Sequence, residues 1–159
     1  MALPLTPPAP PAIRLIAIAA SVCLSTSAVL AQAPAPTAAG PSVTAQTVAT
    51  GLQHPWAVAF LPEGRFLVTE RPGRLRVVDA DGKLQPPVQG LPEVAAGGQG
   101  GLLDVVTDSD FARNRTLYFC YSEPGQGTTN STALASARLS ADRQRLENVK
   151  VLFSQKPKV

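Results

Sequence analysis

The amino-acid sequence predicts an all-β fold in which two four-stranded antiparallel units follow one another along the chain. Short runs rich in β-branched and aromatic residues are each closed by a turn containing Pro, Gly or Asp. Consecutive runs lie only a few residues apart, which favours hairpins over long crossovers. The pattern also repeats, because the apolar runs Val58–Phe60 and Val105–Val106 begin about 47 residues apart.

The first unit is predicted in the first half of the body. Val43–Thr50 contains alternating β-branched residues and is predicted to form the first strand of the body. The four strands of the unit are predicted at Trp56–Phe60, Phe66–Thr69, Arg74–Val78 and Leu84–Val88. Tight turns at Leu61–Gly64, Arg71–Gly73 and Ala80–Gly82 separate them, with Pro and Gly at positions that turns favour.

The second unit repeats this order after a glycine-rich connection. Its strands are predicted at Gly101–Thr107, Thr116–Ser122, Thr132–Leu139 and around Val149–Phe153, and Asp108–Asn114 is predicted as a turn-rich link. Four strands in a period of about 40 to 50 residues are typical of a β-propeller blade. The alternative is a small eight-stranded β-sandwich, which the absence of a long crossover disfavours.

The first 31 residues have the layout of a cleaved secretory signal peptide. Arg14 is the only charged residue before an apolar run of ten residues, Leu15–Leu24. Small residues follow, and Val29 and Ala31 suit the positions that a signal peptidase recognises. The apolar run covers about half of a ~30 Å hydrocarbon core, which disfavours a membrane anchor. We therefore expect a periplasmic or secreted protein without a membrane anchor after cleavage.

The composition changes behind this signal peptide. Residues 32–41 are rich in Ala, Pro and Thr without periodicity and are predicted to form a linker, although cleavage after Ala33 also fits the pattern. Residues 42–159 contain the predicted strands and form one domain, a partial propeller. A lipid attached to Cys23 is a weaker interpretation, because Val22 is bulky where lipoprotein signals have a small residue.

Composition and charge exclude several classes of protein. Charged residues make up 16% of the chain, and 14 Lys and Arg against 11 Asp and Glu give a formal net charge of +3. This bias is weak and no dense basic run accompanies it, so no nucleic-acid partner is expected. Two cysteines and one histidine are too few for a zinc or disulfide framework. Cys120 lies in a predicted strand, where we expect an inert thiol.

Several segments, taken in order, resemble the N-terminal part of a known enzyme family. They are His54-Pro-Trp-Ala-Val-Ala-Phe-Leu-Pro-Glu-Gly64, Leu67-Val-Thr-Glu-Arg-Pro-Gly-Arg-Leu75, Gly98-Gln-Gly-Gly-Leu-Leu-Asp104, Asp110-Phe111 with Asn114, Leu117-Tyr118, and Tyr121-Ser-Glu-Pro124. From about Val48 onward the chain thus resembles the soluble quinoprotein glucose/sorbosone dehydrogenases, the PQQ-dependent aldose sugar dehydrogenases. The resemblance implies that the chain is an N-terminal fragment holding the first two blades of a six-bladed β-propeller.

The resemblance also implies an activity for the whole enzyme. Aldose sugars are oxidised at C1 to lactones by pyrroloquinoline quinone (PQQ), with calcium polarising the quinone, a histidine as base and an electron acceptor as the final partner. Gln99 matches the family's glutamine that hydrogen-bonds PQQ, and a carboxamide offers this cofactor both a donor and an acceptor. The alternative is that Gly97–Gly101 is only a flexible connector between blades.

Little else of the family's machinery carries over to this chain. The family's catalytic histidine lies in a His-Phe-Gly-Ser-Arg-like motif beyond the residues matched here, as do the calcium ligands and most PQQ contacts. We therefore assign no catalytic residue and no metal ligand, and expect the chain to be inactive alone. A non-catalytic β-propeller binding module is the alternative function.

Other polar residues are interpreted structurally. His54 precedes the first strand of its unit and is expected at a rim or turn. Asp104, Asp108 and Asp110 lack the spacing of the twelve-residue calcium loop and are expected to be solvated carboxylates. Glu70, with Arg71 and Arg74, is expected to form an exposed surface ion pair of small energetic value.

Overall fold

The computed structural model describes residues 43–159, so the predicted signal peptide and linker lie outside the described residues. Within the described part, the chain forms two antiparallel sheets of consecutive strands and one short helix. The prediction of an all-β fold is therefore confirmed. No helix in residues 43–159 is long and apolar enough to cross a membrane.

The first sheet has three strands in the order in which they occur along the chain. They are β1 (Pro55–Phe60), β2 (Phe66–Glu70) and β3 (Arg74–Val78). A short 3₁₀ turn at Pro62–Gly64 joins β1 to β2, and Gly64 adopts the positive φ of 73° that closes this turn. In the central strand, Leu67 pairs with Ala59 on one side and with Val77 on the other.

The fourth strand predicted for this sheet, Leu84–Val88, does not form. Leu84 makes a single bridge to Val78, and the Gln85 and Val88 amides donate to carbonyls of β3 at 2.9 and 2.8 Å. Pro86 and Pro87 stand between these amides and have no N–H to donate, so a regular ladder cannot be completed. The segment therefore follows the edge of β3 without becoming a strand.

The strand predicted at Val43–Thr50 was also wrong. This segment is extended and mostly exposed, and none of the described strands pairs with it. It passes close to the turn after β3, where a Cβ atom added to Gly82 would lie 2.2 Å from the Val48 carbonyl oxygen. Alternation alone predicted the strand, and the segment joins neither sheet.

The second sheet contains all four predicted strands. They are β4 (Leu102–Thr107), β5 (Thr116–Pro124), β6 (Asn130–Leu139) and β7 (Leu146–Ser154), and the helix α1 (Phe111–Asn114) joins β4 to β5. The predicted strands near residues 116, 132 and 149 are extended by a few residues at one or both ends. This sheet is a meander of neighbouring strands, as the local spacing of the sequence predicted.

The core lies where the two sheets pack against each other. On the second sheet, large side chains of β5 stand opposite alanines of β6: Leu117 opposite Ala137, Phe119 opposite Ala135 and Tyr121 opposite Ala133. All six residues are buried. These residues form one core cluster with buried side chains of the first sheet, which are Ala59, Leu67, Leu75 and Val77.

Candidate functional site

The loop Gly97–Gly101 leads directly into β4 and carries the predicted cofactor contact. The Gly100 amide donates to the Gly97 carbonyl oxygen at 2.7 Å, which closes a tight turn. Gly98 opens this turn with a φ of 52°, and Gln99 occupies its second central position. The Gln99 side chain is exposed, and among the described residues it has no hydrogen-bond partner.

The glycines of this loop have two different functions. A Cβ atom on Gly101 would lie 2.3 Å from the Arg71 carbonyl oxygen, and the φ of 153° at Gly101 also requires glycine. A Cβ atom on Gly97 or Gly98 would meet no atom within 4 Å. The C-terminal end of the loop is therefore packed on the first sheet, whereas its tip presents bare backbone to open space.

Arg71, the first residue after β2, connects the first sheet to this loop. Its amide donates to the His54 carbonyl oxygen at 3.0 Å, and its carbonyl oxygen accepts from the Leu102 amide at 3.0 Å. The Arg71 guanidinium donates to the Gly98 carbonyl oxygen. We call the meeting point of His54, Arg71 and Gly97–Gly101 the junction.

The junction contains a small pocket beside the loop. It has a volume of about 170 Å³ and is lined by His54, Arg71, Pro72, Ala96, Gly97 and Gly100. His54 is exposed, lies immediately before β1 and has a φ of 48°. Its placement agrees with the expected rim or turn position. The pocket is too small to enclose a three-ring cofactor.

Glu70 corrects the prediction of an exposed ion pair. Its side chain is 0% exposed, and one carboxylate oxygen accepts from Arg74 Nε at 2.6 Å and from Arg76 Nη1 at 3.4 Å. The other oxygen accepts from the backbone N–H of Gln53 at 2.5 Å. Arg71, which was expected to belong to the ion pair, points to the loop instead. Glu70 therefore ties the segment before β1 to β2 and β3 from inside the protein.

The pKa of Glu70 reflects opposing effects. Burial raises it, because removing a carboxylate from water disfavours the charged form. The hydrogen bonds from Arg74 and from the Gln53 amide, together with the positive charges of Arg74 and Arg76, outweigh burial and lower the pKa below its ordinary value. Glu70 is thus a buried anion stabilised by its partners and is not suited to act as a general base near neutral pH.

The three aspartates lie at the opposite end of β4 or along it. Asp104 is exposed on β4. Asp108 accepts from the Asp110 amide and from Asn114 Nδ2, both at 2.9 Å, and these bonds lower its pKa. Asp110 pairs with Arg113. Across residues 43–159, no three His, Cys, Asp or Glu side chains are grouped so that they could hold a metal ion.

Cys120 and the Glu123 carboxylate are two further titratable groups of the second sheet. Cys120 is a free thiol on β5, and burial, with a smaller effect from Asp104, raises its pKa, as expected for an unreactive cysteine.

Glu123, near the end of β5, accepts from Ser154 Oγ and pairs with Lys158. This pair joins the C-terminal segment to the second sheet.

Comparison with known proteins identifies the class to which this fold and loop belong. A family model described as Glucose / Sorbosone dehydrogenase matches residues 52–159, which include both sheets and the junction. The chain belongs to the glucose/sorbosone dehydrogenase family. The resemblance inferred from the sequence motifs is confirmed.

Individual relatives agree with this assignment. Aldose sugar dehydrogenase YliI of Escherichia coli is 41% identical over 139 residues, covering 87% of this chain and 35% of that protein. A crystal structure of glucose dehydrogenase is 51% identical with a TM-score of 0.69, covering 72% of this chain and 33% of the other. The PQQ-bound aldose sugar dehydrogenase of Streptomyces coelicolor is 29% identical with a TM-score of 0.64, covering 77% and 36%. The chain thus spans about a third of the length of its relatives.

Proposed function

We propose that this chain contributes a PQQ-binding surface to a sugar dehydrogenase that oxidises aldoses at C1 to lactones. The observation that carries the proposal is the exposed Gln99 carboxamide on a glycine turn, in a chain of the glucose/sorbosone dehydrogenase family. A relative of known structure binds PQQ, and another is named as an aldose sugar dehydrogenase. When bound, PQQ supplies the two-electron acceptor for the sugar's hydride.

The residues of the junction fit one side of a flat, polar cofactor. The Gln99 carboxamide can donate to a carbonyl or carboxylate and accept from a ring N–H. Gly97 and Gly98 leave the space above the turn free of side chains, so a planar ring system can approach the backbone. Calcium has no corresponding ligand cluster in residues 43–159, and we assign no calcium contact to these residues.

We propose further that the chain has no dehydrogenase activity by itself. Removal of the C1 hydroxyl proton requires a base within hydrogen-bond reach of it. His54 is the single histidine of the sequence, and it lies exposed before β1, where the family resemblance places no base. The junction supplies one wall of a site, and the rest of the propeller supplies the base, the metal and the remaining cofactor contacts.

A chimera tests these proposals. Residues 43–159 are joined to the part of the E. coli aldose sugar dehydrogenase that follows its matched third, and PQQ affinity and glucose-dependent dye reduction are measured. We expect turnover from the chimera and none above free PQQ from the 159-residue chain. Gln99→Ala in the chimera should weaken PQQ binding about tenfold, as for loss of one or two hydrogen bonds. Gln144→Ala, an exposed glutamine in the β6–β7 turn, is the matched control.

Each outcome of this experiment has a definite meaning. Turnover by the 159-residue chain alone would refute its proposed dependence on other blades. An unchanged PQQ affinity in Gln99→Ala would refute the cofactor contact. A chimera that folds but neither binds PQQ nor reduces the dye would favour the non-catalytic binding module.

The two sheets also support the proposal of a six-bladed propeller, in which they are the first two blades. Each is a local meander, and each leaves one face with exposed apolar side chains, including Trp56 and Phe60 on the first sheet and Val106 and Phe153 on the second. Such faces suit the packing of neighbouring blades. A crystal structure of the chimera tests the blade number directly.

Export of the protein rests on the sequence alone. We propose that residues 1–31 are removed as a signal peptide and that the mature protein functions in the periplasm or outside the cell. Its N-terminus is then Gln32, or Pro34 if cleavage follows Ala33. N-terminal sequencing of secreted material checks this, and a protein that begins at Met1 or Ala2 would contradict it.

A further inference from the structure

We propose that Arg71 is the positioning residue for the Gly97–Gly101 loop and fixes the direction in which Gln99 faces its ligand. This inference deepens the proposed function, on which its cofactor-binding part rests. The bond that carries it runs from the Arg71 guanidinium on the first sheet to the Gly98 carbonyl oxygen, the residue immediately before Gln99.

The backbone of Arg71 is held on both sides. Its amide is bonded to His54 and its carbonyl oxygen to Leu102, each at 3.0 Å. Gly101 packs so closely against it that a Cβ atom would lie 2.3 Å from the Arg71 carbonyl oxygen. The main chain of Arg71 is therefore held in place between the two sheets, and its side chain extends from this position to the loop.

The tip of the loop has few other restraints. Its base is held by the Ala95 amide, which donates to the Ser122 carbonyl oxygen at 2.9 Å, and by the Gly101 amide, which donates to Ser122 Oγ at 3.1 Å. Between these points the structure shows one turn bond, from Gly100 to Gly97. Glycines have the largest backbone freedom of any residue, so a turn with this composition is poorly defined by itself. A hydrogen bond from the charged Arg71 side chain to the Gly98 carbonyl restricts the backbone immediately before Gln99.

The charge distribution shows why Arg71 is available for this contact. The neighbouring carboxylate of Glu70 has its acceptor positions occupied by Arg74, Arg76 and the Gln53 amide. Arg71 has no salt bridge among residues 43–159. Glu70 therefore stabilises the first sheet, whereas the adjacent Arg71 donates to the loop that leads into the second sheet.

Amide hydrogen exchange in the 159-residue chain tests the positioning without any cofactor. Arg71→Met keeps much of the side-chain stem and removes the donors. We expect the Gly100 amide, which closes the turn by its bond to the Gly97 carbonyl oxygen, to exchange about tenfold faster, as for loss of one hydrogen bond from a charged donor. Amides of β5 and β6 should be unchanged. Arg113→Met, which removes an exposed arginine of α1, is the control and should leave the loop as it is.

A double-mutant cycle in the chimera tests the consequence for PQQ. Arg71→Met and Gln99→Ala should each weaken binding about tenfold, and the double variant should be little worse than either, because both act through one contact. Equal exchange rates in Arg71→Met and the parent would overturn the positioning. Full rescue of affinity by Arg71→Lys with the loop still exchanging rapidly would also overturn it, since Arg71 would then act by charge alone.

The two arms separate this inference from the function on which it rests. If Gln99→Ala leaves PQQ affinity unchanged while Arg71→Met accelerates exchange, the cofactor contact is wrong and the positioning of the loop stands. If Gln99→Ala weakens binding but Arg71→Met changes neither exchange nor affinity, the proposed function stands and the role of Arg71 is refuted.

Discussion

The two sheets of this protein each place a glutamate near the end of a strand, but in very different surroundings. Glu70 ends β2 with a side chain that is 0% exposed, and it is satisfied by two arginines and a backbone amide. Glu123 lies near the end of β5 with a side chain 24% exposed, and it is satisfied by Lys158 and Ser154. We therefore expect the two pairs to contribute differently to the free energy of unfolding, because removing one partner of a buried pair costs more than removing one of a partly exposed pair.

Glu70→Gln should have the largest effect on stability. The substitution keeps the size of the fully buried side chain but removes the counter-charge of Arg74 and Arg76, which are 31% and 14% exposed, so we expect a loss of about 3 kcal/mol. Denaturant unfolding of the parent and the variant at one protein concentration measures it. A loss of less than about 1 kcal/mol would place Glu70 among ordinary surface pairs.

The dependence of stability on pH should come next in size. Partners lower the pKa of both Glu70 and Glu123 in the folded protein. A lowered folded-state pKa adds stability that is fully present above the unfolded value of about 4.3 and is lost as the pH falls through the folded-state value. We therefore expect the free energy of unfolding to decline below about pH 4.3. Glu70→Gln and Glu123→Gln should each flatten this decline, and a variant whose pH profile matches the parent would contradict the contribution of its carboxylate.

Glu123→Gln should have the smallest effect. The Glu123–Lys158 pair is partly solvated, and the remaining amide can still accept from Ser154 or Lys158. We expect a loss of about 1 kcal/mol or less, as for pairs near the surface. The same unfolding measurement at neutral pH decides it. A loss as large as that of Glu70→Gln would mean that burial does not account for the difference between the sheets.

The second sheet was predictable from sequence more fully than the first. In β5, Leu117, Phe119 and Tyr121 alternate with less buried residues, and such alternation reports one covered face directly. In β2 the last four residues, Leu67 to Glu70, are all buried, so alternation gives no signal there. Glu70 was consequently assigned to the surface. The composition around Leu84–Val88 favoured a strand. Pro86 and Pro87 already argued against it, because neither has an N–H group to donate to a regular β-ladder.

The candidate site was predictable only in part. Gln99 is proposed as a cofactor contact through its resemblance to a family motif, since a glutamine between glycines has no distinctive physical signature. Arg71 was assigned to an ion pair because it stands next to Glu70, whereas the structure turns it toward a carbonyl 27 residues away in the sequence. A hydrogen bond from a side chain to a distant backbone atom produces no periodic pattern in the sequence, so sequence analysis does not detect it. The one available signal was the pair of glycines at 100 and 101, which indicated close packing at the start of β4.

The prolines that prevent a fourth strand in the first sheet also bear on self-association. The outer edge of β3 is covered by residues 84–88, a segment in which two consecutive residues have no N–H group, so an incoming strand finds an incomplete set of donors. The outer edge of the second sheet is β7, which has no such interruption and exposes Val149, Val151 and Phe153. Copies of the isolated chain that associate by edge-to-edge pairing should therefore do so through β7.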